Sequence, residues 1–380
     1  GQAGLDRARS KAYDLIALDL LTSGIHGFEL IQRLRTGFST LRTPIVAYTD
    51  KVYPSDQREA LGLGADIVID RLSGPAAIVE RVDSLLASVR VEFWGVRGSI
   101  ASPGPETARY GGNTPCLAIV HGRESLVLDA GTGIRRLGLI MQAEARGQPL
   151  NARLLVTHTH WDHIQGFPFF VPAYVPKNRL DVYGPRSLSK PLDKVLRGQM
   201  DPEYFPVALG DMSADVRVHD IRQATLELGP FKVSHAYMNH PSITLGYRVE
   251  IAGRAIVYAT DTEPFARLLD AVKSPSTADE RRALDSRLVD LVRGADLYIA
   301  DAQYTGSEYG SKVGWGHSAS EDAVAIAVEA GAKRLALFSH DPMQDDDAVD
   351  RKVASGRAQA QKLASNLDVL GAREGATLRL

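Results

Sequence analysis

Thr157-His158-Thr159-His160-Trp161-Asp162-His163 follows the apolar run Leu154-Leu155-Val156 and sets four potential metal ligands, His158, His160, Asp162 and His163, within six residues. With ten histidines in 380 residues, no packing need explains that density. Imidazole nitrogen and carboxylate oxygen suit zinc, manganese or iron, and two such ions about 3.5–4 Å apart form a hydrolytic centre. The apolar run reads as a buried strand. A strand sends alternate side chains to opposite faces, whereas a loop leaving its carboxyl end can turn several toward one point. His158 and His160 can then serve one metal while Asp162 and His163 serve another.

T-H-T-H-W-D-H resembles the H-x-H-x-D-H signature of the metallo-β-lactamase superfamily. The resemblance implies an αββα sandwich over residues 91–380 and three later ligands, each following a strand. His240 stands in Asn239-His240-Pro241, Asp261 follows the run Ala255-Ile256-Val257-Tyr258-Ala259-Thr260, and His340 follows Arg334-Leu335-Ala336-Leu337-Phe338-Ser339. By that resemblance His158, His160 and His240 hold a first divalent metal, Asp162, His163 and His340 hold a second, and Asp261 bridges them. Zinc is the favoured ion, with manganese or iron as alternatives. His235, five residues before His240, lies inside Lys232-Val233-Ser234-His235-Ala236 and reads as a strand or rim residue.

Further segments resemble a phosphodiesterase-like branch of the same superfamily, close to ribonuclease Z and the cyclic phosphodiesterases. Gly95-Val96-Arg97-Gly98-Ser99-Ile100, Pro103-Gly104-Pro105-Glu106-Thr107 and Arg109-Tyr110-Gly111-Gly112-Asn113-Thr114 carry that likeness. Their glycines permit tight turns, Arg97 or Arg109 can offer a planar fork to a phosphate, and Asn113 can orient a metal ligand from behind. Asp129, after Ser125-Leu126-Val127-Leu128, resembles the acid that holds the metal loop in this superfamily, and Asp301, after Leu297-Tyr298-Ile299-Ala300, either fixes a ligand imidazole or caps the following turn. His317, in Gly316-His317-Ser318-Ala319, resembles the histidine that assists at the phosphate in ribonuclease Z. Ser318 and Glu321 have capping-box spacing ahead of a helix over Asp322 to Ala330, whose amino terminus would favour an anion. His240 stands 240 − 163 = 77 positions after His163, room for an insertion from Pro176 to Met212 that serves as a lid or a surface excursion.

Residues 1–90 read differently. Tyr13-Asp14-Leu15-Ile16-Ala17-Leu18-Asp19-Leu20, Thr43 to Thr49 and Ala65 to Ile69 read as strands, and Gly24 to Arg35 as a turn and an amphipathic helix. Alternating strand and helix implies a parallel sheet. The stretch resembles the receiver domain of bacterial response regulators, a flavodoxin-like α/β fold, with Asp19 at the phosphoacceptor position and Thr49 at the switch hydroxyl. The acidic pair that binds magnesium and the lysine after the last strand have no counterpart, since Ile69-Asp70-Arg71-Leu72 stands at the latter place. A partial receiver that docks a signalling protein, or dimerises, is the favoured reading over a working phospho-switch. Ala76 to Val89, with Ile78, Val79, Val82, Leu85, Leu86 and Val89 apolar, forms one helical face leading into the second domain.

A 44% hydrophobic content over 380 residues can supply cores for two domains. The net charge of −2 lacks the basic footprint of most nucleic-acid binders, and Arg186, Lys190, Lys194 and Arg197 read as a solvated face. The lone Cys116 reads as a core residue. No signal peptide or membrane-crossing stretch is visible, so a cytoplasmic enzyme is expected, and such enzymes are commonly homodimers. The resemblance implies hydrolysis of a cyclic nucleotide or other small phosphodiester by a hydroxide held between two metals, with Asp162 and His317 in catalytic roles. The alternatives are a same-fold hydrolase of an ester, lactone or thioester, and a non-catalytic signalling module.

Overall fold

The computed structural model describes residues 1–22, 24–50 and 53–380. Two compact units divide the chain: Gly1–Ser88 with His121–Arg123 and Leu137–Leu150, and Val89–Val120 with Glu124–Arg136 and Asn151–Leu380.

In the first unit α1 (Gln2–Ser10), β1 (Ile16–Asp19), α2 (Gly27–Thr36), β2 (Ile45–Thr49), α3 (Pro54–Gly62), β3 (Ile67–Asp70) and α4 (Pro75–Ala87) follow in order. The strands form a parallel sheet in the order β1-β2-β3. Alternation along the strands decides which helix each face receives. Ile45 and Ala47 pack with Leu5, Leu30, Ile31 and Leu34 from α1 and α2, while Val46 and Ile69 pack with Leu85, Ile78 and Val82 of α4. Val79 and Leu86, expected on the same α4 face, are exposed, because only the 78, 82, 85 ridge meets the sheet. The sequence reading had no element before Tyr13; α1 is there, and Leu5 and Ala8 are its buried stripe.

The second unit stacks two seven-stranded sheets. One has β4 (Arg90–Gly95), β5 (Cys116–His121), β6 (Glu124–Leu128), β7 (Asn151–Leu155), β8 (Arg179–Gly184) and β9 (Asp215–Asp220). The other has β10 (Thr225–Leu228), β11 (Phe231–Tyr237), β12 (Leu245–Ile251), β13 (Arg254–Ala259), β14 (Leu297–Asp301), β15 (Arg334–Phe338) and β16 (Asp368–Gly371), while β17 (Thr377–Arg379) returns to pair with β4. From β6 to β9, and again from β13 to β16, neighbours are parallel. The continuous apolar runs that make these strands legible follow from burial on both faces. Ile256, Tyr258, Leu297, Ile299 and Phe338 face Phe93, Leu117, Leu126 and Leu155 across the sandwich. Val257, Ala259, Tyr298, Ala300 and Leu337 face the other way, onto Val292, Val324, Ala327, Val349 and Val353 of the covering helices. This is the αββα layering.

The segment from Pro176 to Met212 is not a detached insertion. It contains β8, hydrogen-bonded between β7 and β9, and the helix Leu192–Gln199, whose Leu192 and Leu196 are buried. Only its later part is a surface excursion, where Phe205 packs edge-on against Phe169 and Tyr204 is exposed. Of the four basic residues read as a solvated face, Arg197 pairs with Asp193 and Arg186 lies near Asp220.

Candidate metal centre

The parallel strands deliver their carboxyl ends to one edge of the sandwich, and the polar residues gather there. β7 feeds Val156-Thr157-His158, β13 feeds Thr260-Asp261, and β14 ends on Asp301. The turns are tight enough to force non-glycine residues into the left-handed region: Ser99, Asp129, Asp261 and Ser339 have φ of 64°, 60°, 53° and 56°. Such conformations carry a backbone cost that surrounding structure must offset, and they concentrate at functional sites. Gly131 stands where a Cβ would come within 2.3 Å of the Asp162 carbonyl, so the metal loop can lie flat on the Ala130–Gly133 turn only with glycine there.

Five imidazoles and a carboxylate converge. His158, His160 and His240 offer ligand atoms within 4.8 Å of one another, as do His158, His163 and Asp261, and His240, Asp261 and His317. Asp261 Oδ2 lies 3.3 Å from His163 Nε2, 3.6 Å from His158 Nε2 and 3.8 Å from His240 Nε2. His240 Nε2 and His160 Nδ1 are 3.0 Å apart, and Asp162 Oδ2 lies 3.3 Å from His163 Nε2.

A second layer of hydrogen bonds aims these groups. Asp129 Oδ2 holds His163 Nδ1 at 2.8 Å and accepts from the Tyr258 hydroxyl at 2.8 Å, while Asp129 Oδ1 accepts from the Thr157 amide at 2.7 Å. Thr157 Oγ1 is 3.1 Å from His158 Nδ1. The Gly316 carbonyl takes His240 Nδ1 at 2.9 Å, Asp301 Oδ2 takes His317 Nδ1 at 2.9 Å, and the Ser99 amide donates to Asp162 Oδ2 at 2.8 Å. With Nδ1 engaged, the Nε2 atoms of His158, His163, His240 and His317 are left to face inward, the arrangement in which outer partners fix the tautomer of a metal-binding imidazole.

Two of those inward atoms decide the chemistry. His158 Nε2 and His163 Nε2 are buried and have no hydrogen-bond partner among the described residues. A buried unpaired imidazole nitrogen is costly, and a cation is the partner that would satisfy several at once. The electrostatics point the same way. Burial, then the positive neighbour His163, holds His158 well below the usual histidine range. Burial opposes charge on His163, but Asp162, Asp261 and Asp129 outweigh it and push that imidazole well up. Burial opposes charge on Asp261, yet His163 and His317 keep its carboxyl well below the usual range. For His317, burial opposes protonation, and Asp301, then Asp261, raise it to about 9. The site is therefore an excess of carboxylate and inward nitrogen with too little positive charge, which fits divalent metal.

Several expectations need correction. Arg97 does not face a substrate: it is fully buried, its Nε donates to the Gly111 carbonyl at 2.8 Å, and its Nη1 donates to the carbonyls of Gln344 and Asp341 at 2.7 and 3.1 Å. Arg109 is exposed but spends its fork on Asp347 and Asp350. Asn113 touches no candidate ligand; it donates to Glu374 at 2.7 Å and accepts from Thr132 at 2.8 Å. His340 is buried with Nε2 on the Ala372 carbonyl at 2.9 Å, and none of the close groupings among the described residues includes it, although its Nδ1 has no partner. His317 joins the cluster instead. The Ser318–Glu321 capping box does not form: the helix begins at Ser320, Ser318 donates to the Thr262 carbonyl, and Glu321 accepts from Gly306 N–H. His235 binds the Gln223 carbonyl, away from the cluster. Asp301 serves His317 and the Thr262 amide.

Sequence reasoning missed Glu263. Its carboxylate accepts from the amides of Gly314, at 2.9 Å, and Gly316, at 3.1 Å, and from the Tyr309 hydroxyl, and so ties down the loop that carries both the Gly316 carbonyl and His317. Its position two residues after Asp261 was the only available signal.

The family model described as "Beta-lactamase superfamily domain" matches residues 125–340, more than half of the chain. The chain belongs to the beta-lactamase superfamily. Membership implies divalent metal ions and a hydrolytic enzyme. Ribonuclease Z of Synechococcus sp. (strain CC9311) is 25% identical over 293 residues, covering 67% of this chain and 88% of that protein. The metallo-beta-lactamase fold protein YhfI from Bacillus subtilis superposes with a TM-score of 0.52 at 19% identity, covering 77% of this chain and all of its own, a likeness of fold. Response regulator ArlR of Staphylococcus haemolyticus is 41% identical over 90 residues, 24% of this chain and 38% of that regulator. No helix among the described residues is long and apolar enough to cross a membrane.

Proposed function

We propose that this protein is a dinuclear-metal phosphodiesterase acting on a cyclic nucleotide or another small phosphodiester. The observation that carries the proposal is the convergence of His158, His160, His163, His240 and Asp261 around buried Nε2 atoms that nothing else satisfies. The ribonuclease Z relatives, and the His317 segment beside the centre, favour a phosphorus ester over a lactam or thioester.

His158, His160 and His240 would hold one ion, Asp162 and His163 a second, and Asp261 would lie between them. His340, whose free Nδ1 is its only open ligand atom, is the outlying candidate for the second ion. When bound, the two ions would supply Lewis acidity toward a phosphoryl oxygen and an activated water. The chain's own residues do the rest. Asp129, Thr157 and the Ser99 amide fix the ligands before substrate arrives, so no reorganisation is needed at the moment of reaction. His317, anchored through Nδ1 on Asp301, points Nε2 toward the cluster, where it can donate a proton to a phosphate oxygen or to the departing alkoxide. The first ninety residues act as a receiver-like docking module for a signalling protein, with Asp19 as its acid. A cytoplasmic homodimer accords with that use.

The test is hydrolysis of bis(p-nitrophenyl) phosphate by metal-quantified protein. Wild type with about two metals should turn over. Asp261→Ala should lose metal and rate together, and His317→Ala should keep metal while losing roughly 10²–10⁴-fold in kcat. Loss of metal in His317→Ala would make His317 a ligand, and retention of full metal in His340→Ala would remove His340 from the set. A fully loaded wild type inert toward phosphodiesters overturns the proposal.

A further inference from the structure

The chain has three tryptophans, and they divide sharply. Trp94 is buried in β4, whereas Trp161 is 80% exposed and Trp315 is 56% exposed. An indole is the largest side chain available, and leaving two in water forgoes burial that a folded chain normally takes. Both adjoin, along the chain, residues of the candidate cluster. Trp161 follows His160, whose Nδ1 lies 3.0 Å from His240 Nε2; His240 Nδ1 lies 2.9 Å from the carbonyl of Gly316, which Trp315 precedes. The two indoles are thus rooted one residue from either end of a single chain of contacts, His160 to His240 to Gly316.

The Trp315 loop is preorganised. Glu263 accepts from the Gly314 and Gly316 amides and the Tyr309 hydroxyl. Gly316 adopts φ +84°, and a Cβ there would come within 2.4 Å of His240 Nδ1, so the loop can lie on the imidazole only with glycine at that position. Lys312 Nζ sits 4.2 Å from the Trp315 ring centroid, and Lys312 pairs with no carboxylate among the described residues. One face of the indole therefore carries a cation, an arrangement suited to an anionic ligand with a flat body.

We infer that Trp161 and Trp315 form a stacking platform for the base of a nucleotidyl phosphodiester, with Lys312 beside it to receive phosphate charge. This rests on the phosphodiesterase reading and narrows it: the substrate carries a planar nucleobase on the esterified sugar, and the platform selects it over diesters with aliphatic substituents. Base-on-aromatic stacking tolerates any base because every base offers a π-face, so the platform sets the substrate class without choosing a sequence. Committing the exposed rings to substrate also explains why they are not buried in either core.

The experiment uses the full metal-loaded chain and two diesters, adenylyl-(3′→5′)-adenosine and its base-free counterpart with both adenines replaced by hydrogen. Wild type should favour the base-bearing diester through KM, and in Trp161→Ala and Trp315→Ala that preference should fall roughly five- to hundredfold, the range of one stacked base. Trp161→Phe and Trp315→Phe keep a ring and should restore most of it, which separates stacking from damage to the neighbouring ligands. In parallel, adenosine 5′-monophosphate should quench indole emission where ribose 5-phosphate does not, and each alanine variant should lose part of that quench. Equal KM for the two diesters with no quench by the nucleotide overturns the platform while leaving the phosphodiesterase reading intact. If neither diester is cleaved, the phosphodiesterase reading has failed, and the quench decides the platform alone: present and lost in the variants it stands, absent it falls.

Discussion

Asp19 and Asp261 occupy the same kind of place, at the carboxyl end of a strand with a parallel neighbour, yet their surroundings are opposite. Asp19 has its charge answered: Arg71 lies 2.7 Å from Oδ2, the Leu21 amide donates to Oδ1 at 2.8 Å, and Arg71 also reaches Asp50 and the Tyr48 ring. Asp261 is buried among imidazoles, and two of their inward nitrogens, His158 Nε2 and His163 Nε2, have no hydrogen-bond partner among the described residues; its backbone has φ of 53°. The first acid is compensated within the chain and partly open to water. The second is held in a conformation and a company that only something from outside makes worthwhile. Topological position alone does not make an active acid; unmet valence does.

The largest expected effect that would sharpen this contrast is at Glu263. If the metal centre is preorganised by its outer layer, Glu263→Ala should release the 309–317 loop, leave the Gly314 and Gly316 amides and the Tyr309 hydroxyl without their acceptor, and cost roughly 3 kcal/mol or more. Activity toward a phosphodiester should fall about 10²-fold with metal content retained, because His317 and the Gly316 carbonyl lose their position. Metal analysis beside steady-state rates checks this, and an unchanged rate would mean that the loop does not position the site.

Next in size is a buried cation without a carboxylate of its own. Lys352 is fully buried in the helix Asp346–Lys362, donates to Gln344 Oε1 at 2.8 Å and to the Gln303 carbonyl at 3.3 Å, and is pushed down to about 7 chiefly by burial. The unfolded chain would bind that proton up to about pH 10.4, so between the two values it holds a proton that the folded protein lacks. Stability from this group must then rise with pH above 7, by up to ~1.4 kcal/mol per unit. Relative to Lys352→Met, wild type should gain roughly 2–3 kcal/mol between pH 7 and 9, read as diverging unfolding midpoints. Parallel curves would show that the amine stays charged, and that this sandwich tolerates unpaired buried charge away from the metal centre.

Most of the residues that converge in the candidate cluster were legible because their types announce them. Histidine and aspartate at the ends of apolar runs have few other reasons to be there, and burial on both faces makes those runs continuous. Arg97, Arg109 and Asn113 were misread because an arginine or asparagine in a glycine-rich loop looks alike whether it faces a ligand or braces a neighbouring loop. Their partners lie far along the chain, at Gln344, Asp350 and Glu374. The Ser318–Glu321 spacing failed for the same reason, since tertiary acceptors at Thr262 and donors at Gly306 took both side chains. In the first unit no lysine follows the last strand, and Arg71 from that stretch supplies a positive charge to Asp19.

That last pair gives the smallest expected effect and the most direct way to break the comparison. Both members are partly open to water, with 25% of the Asp19 side chain and 47% of the Arg71 side chain accessible, so the ion pair contributes at most about 1 kcal/mol. Arg71→Ala should therefore move the unfolding midpoint only slightly, the more so at high salt, where exposed pairs are screened. It leaves every contact around Asp261 in place, and phosphodiester hydrolysis should stay within about twofold, since surface substitutions away from such features are nearly neutral. A large change in rate on freeing Asp19 would contradict the division drawn here between a compensated acid and an uncompensated one. It would mean that the charge state at the end of β1 is read by the metal centre, and that the Asp19–Arg71 contact is a switch whose resting position is closed.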